Sequence, residues 1–212
     1  MKLYTYWRSS ASYRVRIALA LKGLKPDVIP VNLLKNAQKT AEYAKLNPEK
    51  RVPALADGDH VMTQSLAIIE YLDEMYPAIP LLPLVPHERA RVRALALAVA
   101  CDIAPLNNLT TLHYLTQEFG VTEEQKQGWI RHWMESGFAA FEEQLSQSPH
   151  TGRFCHGATP TMADCCLIPQ VYNARRFHVN LDAYPNIVRI DAACAALPAF
   201  IAAHPANQPD AA

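Results

Sequence analysis

The segment Trp7-Arg8-Ser9-Ser10-Ala11-Ser12 puts three hydroxyls and a guanidinium directly ahead of Tyr13-Arg14-Val15-Arg16-Ile17-Ala18-Leu19. Ala11, Val15, Ala18 and Leu19 recur at helical spacing, so the serines stand at a helix start. A helix start gathers unpaired N–H groups and partial positive charge, and both favour an anion. One anion that gains chemically from such surroundings is a thiolate. A free thiol has a pKa of about 8.5, and lowering it by about two units takes roughly 2.7 kcal/mol of preference for the charged form. A helix terminus supplies about 0.3–2 kcal/mol, and a hydrogen bond to a charged group about 1.5–3 kcal/mol. Together they suffice. The segment holds no cysteine, so the thiol would have to arrive with a ligand. Taken alone, the stretch reads as plain capping, with one serine bonded and the others solvated.

Two later stretches extend the pattern. In Arg51-Val52-Pro53-Ala54, a cis Val52–Pro53 bond would turn the Val52 backbone outward, so that its N–H and C=O could pair with an extended peptide. In Thr63-Gln64-Ser65-Leu66, Ser65 stands at another helix start and could hold a carboxylate through its hydroxyl and the helix-terminal N–H groups. Each alone is an ordinary structural feature. The ordered set reads as a site for a thiol-bearing peptide.

The elements that must position these residues follow from the pattern. Residues 2–7 read as a strand, and a helix runs from about Ser10 to Lys22, ended by Gly23. Residues 27–33 read as an edge strand because of Pro30. Residues 53–63 form a hairpin around Asp57-Gly58. A helix from Ser65 carries Leu66, Ile69, Leu72 and Met75 on one face and stops at Pro77. Residues 77–86 (PAIPLLPLVP) contain four prolines, a stiff boundary. Beyond it the periodicity is helical. Thr122 to Gln125 and Thr161 to Asp164 have capping-box form, and Trp129, Ile130, Trp133, Phe141 and Leu145 mark a core stripe. The fold class is α/β plus all-α: an α/β domain over residues 1–80, a linker over 81–86 and a helical domain over 87–212.

Composition removes other classes. Twenty basic residues balance twenty acidic ones, so bulk charge draws neither nucleic acid nor an anionic membrane. Five cysteines without a CxxC pair suggest neither a disulfide framework nor a zinc site, and the eight histidines show no metal spacing; no metal is expected. Reduced thiols and an N-terminus without a signal-peptide pattern point to the cytoplasm. No window reads as a membrane helix.

The stretches SSASYRVRIALALKG, LNPEKRVPALADG, QSLAIIEYLDEMYP and TMADCCLIPQVYNARRF resemble the zeta class of glutathione transferases, a class that includes maleylacetoacetate and maleylpyruvate isomerases. The resemblance runs from the first strand to about Pro209. It implies the glutathione transferase fold, with a thioredoxin-like N-terminal domain and an all-helical C-terminal domain, and a homodimer in the cytosol. Glutathione would lie along Val52, Pro53, Gln64 and Ser65, with its sulfur near Ser9, Ser10 and Ala11; Asn108 matches the family and would reach the ligand. Thr161 and Asp164 match a capping box that serves folding. Ala11 and Tyr13 stand where the family usually has Cys and Trp, and Ala104 where relatives tend to be polar.

The implied reaction is cis–trans isomerisation of a maleyl keto-acid, maleylpyruvate or maleylacetoacetate, through thiolate addition, bond rotation and elimination. The dicarboxylate substrate needs cations. Arg8 lies beside the serines, and Arg176 in NARRF matches the family's substrate-binding arginine. Two other readings stand beside this one: a general glutathione transferase that conjugates or dehalogenates electrophiles, and a non-catalytic binding module on the same scaffold.

Overall fold

The computed structural model describes residues 1–211; residue 212, the end of the expected helical range, lies outside them. The elements are, in order, β1 (Lys2–Thr5), α1 (Ser10–Leu21), β2 (Asp27–Pro30), α2 (Ala41–Leu46), β3 (Ala54–Asp57), β4 (His60–Thr63), α3 (Ser65–Met75), α4 (Pro86–Leu97), α5 (Leu109–Glu118), α6 (Glu123–Gln147), α7 (Met162–Arg176), α8 (Pro185–Ala195) and α9 (Pro198–Ala203). They divide into two compact units: Met1–Leu81 with Ala195–Ala212, and Leu82–Cys194.

The first unit is a four-stranded sheet in the order β2-β1-β3-β4. β1 runs parallel to β2, pairing Leu3 with Val28, and antiparallel to β3, pairing Leu3 with Leu55. β3 and β4 form the hairpin, and Gly58 takes the left-handed conformation (φ +57°) that its turn requires. Pro30 sits on the edge strand β2, where its missing N–H breaks no central ladder. α1 buries Val15, Ile17, Ala18 and Leu19, and α3 buries Ile68, Ile69 and Leu72. Met75, expected on that face, is 56% exposed, because α3 ends there ahead of Pro77. Lys22 ties the two helix ends together, donating to Asp73 Oδ1 at 2.8 Å and to the carbonyls of Tyr76 and Ile79. The sequence pattern assigns everything after the linker to the helical part; the structure returns residues from 195 onward to the first unit, where Arg16 Nε on α1 donates to the Ala203 carbonyl on α9 at 3.1 Å.

The second unit is helical. The buried stripe of α6 is Ile130, Met134, Phe138, Phe141 and Leu145, which keeps helical spacing over its length. Trp129 and Trp133 flank this stripe half-buried, with rings 5.7 Å apart edge to face. An indole carries an N–H that needs an acceptor, and Trp129 Nε1 finds one in the Leu106 carbonyl at 2.8 Å. A π-helical turn, Ala98–Ile103, follows α4. Gly137 on α6 lets it approach: a Cβ there would fall 2.3 Å from Ile103 Cγ1. By length and composition the run Pro86–Glu118 could cross a membrane, which corrects the reading that no such window exists. It is not one straight helix, since the π turn, Pro105 and the extended Asn108 (ψ 146°) interrupt it. Cys155, Cys165, Cys166 and Cys194 are buried cysteines outside any disulfide, and burial pushes the Cys155, Cys165 and Cys194 thiols above the usual range.

Candidate active site

Ser9 is the N-cap of α1, and its Oγ accepts from the Ser12 N–H at 3.2 Å. Accepting leaves the Ser9 O–H proton available for donation. Ser10 opens the helix half-buried, and among the described residues no chain acceptor takes the N–H of Ser10 or Ala11. Ser12 Oγ is fully buried without a partner. The first turn contains no acidic residue. This helix start therefore keeps unspent donors for an anion. Arg8 is half-buried, its guanidinium 5.4 Å from the Trp7 ring centroid, and among the described residues no carboxylate pairs with it. Tyr6 is buried beside Val31, Tyr43 and Val52, as a packing residue.

The Val52–Pro53 peptide is cis. The preceding carbonyl, Arg51 O, is fixed from two sides, by Tyr43 Oη at 2.6 Å and Asn47 Nδ2 at 2.8 Å. Burial pushes the Tyr43 hydroxyl up to about 12, so it stays a donor. Among the described residues no group of the chain bonds the Val52 N–H or C=O, which leaves that backbone available to an extended ligand.

Gln64 precedes α3 with φ +66° and ψ 116°, a left-handed conformation unusual for a residue with a side chain. Its Nε2 donates to both Glu49 carboxylate oxygens, at 3.0 and 2.8 Å. α3 begins with buried Ser65, has no side-chain cap and has no acid in its first turn. Ser65 Oγ accepts from Arg14 Nη1 at 3.2 Å. Thus Arg8, Ser9, Ser10, Ala11, Val52, Pro53, Gln64 and Ser65 all belong to the first unit, on the β1–α1 turn, the turn before β3 and the start of α3. Arg14, which the sequence pattern does not single out, joins this group of residues through its bond to Ser65.

Asn108 and Arg176 belong to the second unit. Asn108 caps α5, its Oδ1 accepting from the Thr110 N–H at 2.9 Å, and its side chain is exposed. Arg176 is exposed in the last turn of α7, its guanidinium 4.7 Å from the Phe177 ring centroid. Its neighbour Arg175 is engaged elsewhere, with Asp191 at 2.6 Å. At the other end of α7, the buried Asp164 accepts from Cys155 N at 2.8 Å, Thr161 N at 2.7 Å and Thr161 Oγ1 at 2.9 Å. Burial raises its carboxyl above the usual range, against the pull of these bonds. The fold also gathers Glu88, His150 and His156, one ligand atom of each within 4.8 Å of the others, a cluster invisible to spacing rules. Arg91 Nη1 already faces His156 Nδ1 at 3.3 Å, so a cation occupies the surroundings, and burial and Arg91 hold the His156 ring below its usual range.

Comparison with known proteins identifies the family. The glutathione S-transferase N-terminal domain family matches residues 1–74, and the C-terminal domain family residues 124–205. The chain is 50% identical over 212 residues to a maleylpyruvate isomerase of a Ralstonia species, covering 100% of both. It is 50% identical over 211 residues to a probable maleylacetoacetate isomerase of Vibrio cholerae, covering 99% of this chain and 97% of the other. A solved holo maleylpyruvate isomerase, a bacterial zeta-class glutathione S-transferase, superposes with a TM-score of 0.98 at 50% identity over 100% of both chains. A maleylacetoacetate isomerase from Methylobacterium extorquens AM1, solved with malonate and glutathione bound, gives 0.97 at 40% identity over 100% of both. The chain belongs to the glutathione S-transferase family. Within that family it is of the zeta class.

Proposed function

We propose that this chain is a glutathione-dependent cis–trans isomerase of a maleyl keto-acid, with maleylpyruvate or maleylacetoacetate as substrate. The observation that carries the reading is the pair of acid-free helix starts, α1 and α3, within one unit and lined by Ser9, Ser10 and Ser65. They suit a ligand bearing a thiolate and a carboxylate. The unbonded Val52 backbone suits the peptide portion of the same ligand.

In this reading Val52, Pro53 and Gln64 line the peptide, and Ser65 with the free N–H groups of α3 receives a carboxylate. Bound glutathione supplies a thiolate nucleophile that adds to the conjugated double bond and leaves after rotation. Ser9 and Ser10 donate hydroxyls to that negative charge, and the Ala11 N–H adds a dipole. Arg8 and Arg176 take the substrate carboxylates, for which a guanidinium offers two parallel donors. The amide of Asn108 still has its N–H groups to donate to ligand. Residues 1–80 hold glutathione, and the helical part beyond the 81–86 linker brings the substrate groups. Buried free thiols fit a reducing cytoplasm. Exposed Leu97, Leu109, Tyr114 and Phe119 are side chains that a second protomer would cover in a homodimer.

The test is proton NMR of maleylpyruvate turning into fumarylpyruvate, with and without glutathione, repeated with maleylacetoacetate. Rapid conversion that depends on glutathione is expected. Conjugation of a simple electrophile without isomerisation would replace this reading by a general transferase.

A further inference from the structure

Helix α1 carries two buried arginines that the fold treats differently. Arg16 is 6% exposed and well supplied with acceptors: Nε donates to Ala203 O, Nη1 to Thr5 Oγ1 and Tyr6 O, and Nη2 to Trp7 O. Arg14 is 4% exposed, and among the described residues it donates only to Ser65 Oγ, at 3.2 Å, while its buried Nε has no partner. Among the described residues no carboxylate pairs with Arg14. Burying a guanidinium without a counter-charge is costly, and folds that do so normally pair it. Its one partner stands at the start of α3, which has neither a side-chain cap nor an acid in its first turn. Positive charge thus accumulates from two sources, the helix start and the guanidinium, with Ser65 common to both.

We propose that Arg14 is a positioning residue of the ligand site: it fixes the Ser65 hydroxyl and provides the positive charge that offsets a ligand carboxylate at the start of α3. By accepting from Arg14, Ser65 Oγ leaves its own proton to donate to that carboxylate. The ligand completes an ion pair of which the protein contains one half. This inference rests on the reading that glutathione places a carboxylate at Ser65.

The experiment measures dissociation constants by calorimetry for the intact protein, Arg14→Met and Arg14→Lys. Three ligands are used: glutathione, an analogue lacking the γ-glutamyl carboxylate (4-aminobutanoyl-Cys-Gly) and one with the glycine carboxylate amidated. One analogue should bind the intact protein at least about 10-fold more weakly than glutathione, which identifies the carboxylate at Ser65. Arg14→Met should weaken glutathione by about 10- to 100-fold and that analogue by less than about 2-fold. Arg14→Lys should recover part of the loss. The melting temperature of ligand-free Arg14→Met should equal or exceed that of the intact protein, because an unpaired buried charge has gone. Equal losses for all three ligands, or a lowered ligand-free melting temperature, would reduce Arg14 to a packing role and overturn the proposal. Equal binding of all three ligands by the intact protein would instead overturn the carboxylate reading at Ser65 itself. If Arg14→Met does not fold, Arg14→Lys carries the same comparison, since it keeps the charge but loses the guanidinium geometry at Ser65.

Discussion

The starts of α7 and α3 present the same backbone groups and finish in opposite electrical states. At α7 the chain supplies the anion: Asp164 is buried and both its oxygens accept from Cys155 and Thr161. At α3 the chain supplies no anion, and a guanidinium lies against the first side chain. A helix start whose acid comes from the sequence serves folding. On the proposed reading, one whose acid comes with a ligand serves binding, and the protein carries its unbalanced charge until then.

The widest separation between the two starts should appear on removing the internal acid. Asp164→Ala leaves buried donors unmet and should cost about 4 kcal/mol in urea unfolding, while the folded fraction binds glutathione with unchanged affinity. A loss of affinity without a loss of stability would break the comparison. Ser10→Ala should behave in the opposite way. Isomerisation should slow by about 10²–10³-fold with stability within about 0.5 kcal/mol, and an absorbance titration at 240 nm should show the bound thiol's pKa rising.

A smaller effect comes from giving α3 the acid it lacks. Ala67 is exposed in its first turn, and Ala67→Glu should stabilise the protein by about 0.3–1 kcal/mol while weakening glutathione several-fold; tighter binding would show that the α3 start is not the anion site. The smallest concerns acid. Burial, and then Arg16, hold His204 below its ordinary value of 6.5. Its folded form resists the proton, so its contribution to stability is complete above that value and is lost as pH falls through the lower folded one. Protection of the α9 amides against hydrogen exchange, taken relative to their intrinsic exchange rate at each pH, should therefore fall on acidification below about 6.5, and His204→Gln should abolish the change.

Local chemistry made much of this legible in the sequence. The serine-rich start of α1, the turn at Gly58 and the capping boxes each depend on neighbours a few residues apart, and helical spacing marked α1, α3 and α6, while α2, α4, α5, α8 and α9 were not individually assigned. What escaped was set by pairs far apart in sequence. The Arg14–Ser65 bond spans 51 positions, so no spacing rule joins them. Trp129 and Trp133, expected in the α6 stripe, flank it instead: large apolar rings score as core, but the Trp129 N–H reaches the Leu106 carbonyl from a half-buried flank, whereas Trp133 Nε1 has no partner among the described residues. The return of residues from 195 onward to the first unit likewise joins distant groups, with Arg16 on the Ala203 carbonyl 187 positions away and Phe200 and Ala203 buried.

The turn that carries Ser9 and Ser10 is held by the Trp7 N–H on the Asp210 carboxylate, at 3.0 Å and 203 positions away, and by Arg16 on the Trp7 carbonyl. Translation is vectorial, and the N-terminal side of a chain ordinarily folds first. Here the ribosome must add Asp210 before that bond to the Trp7 peptide can form. The residues proposed to face the thiol are thus synthesised early, and this tie to their turn waits for a side chain 203 positions later.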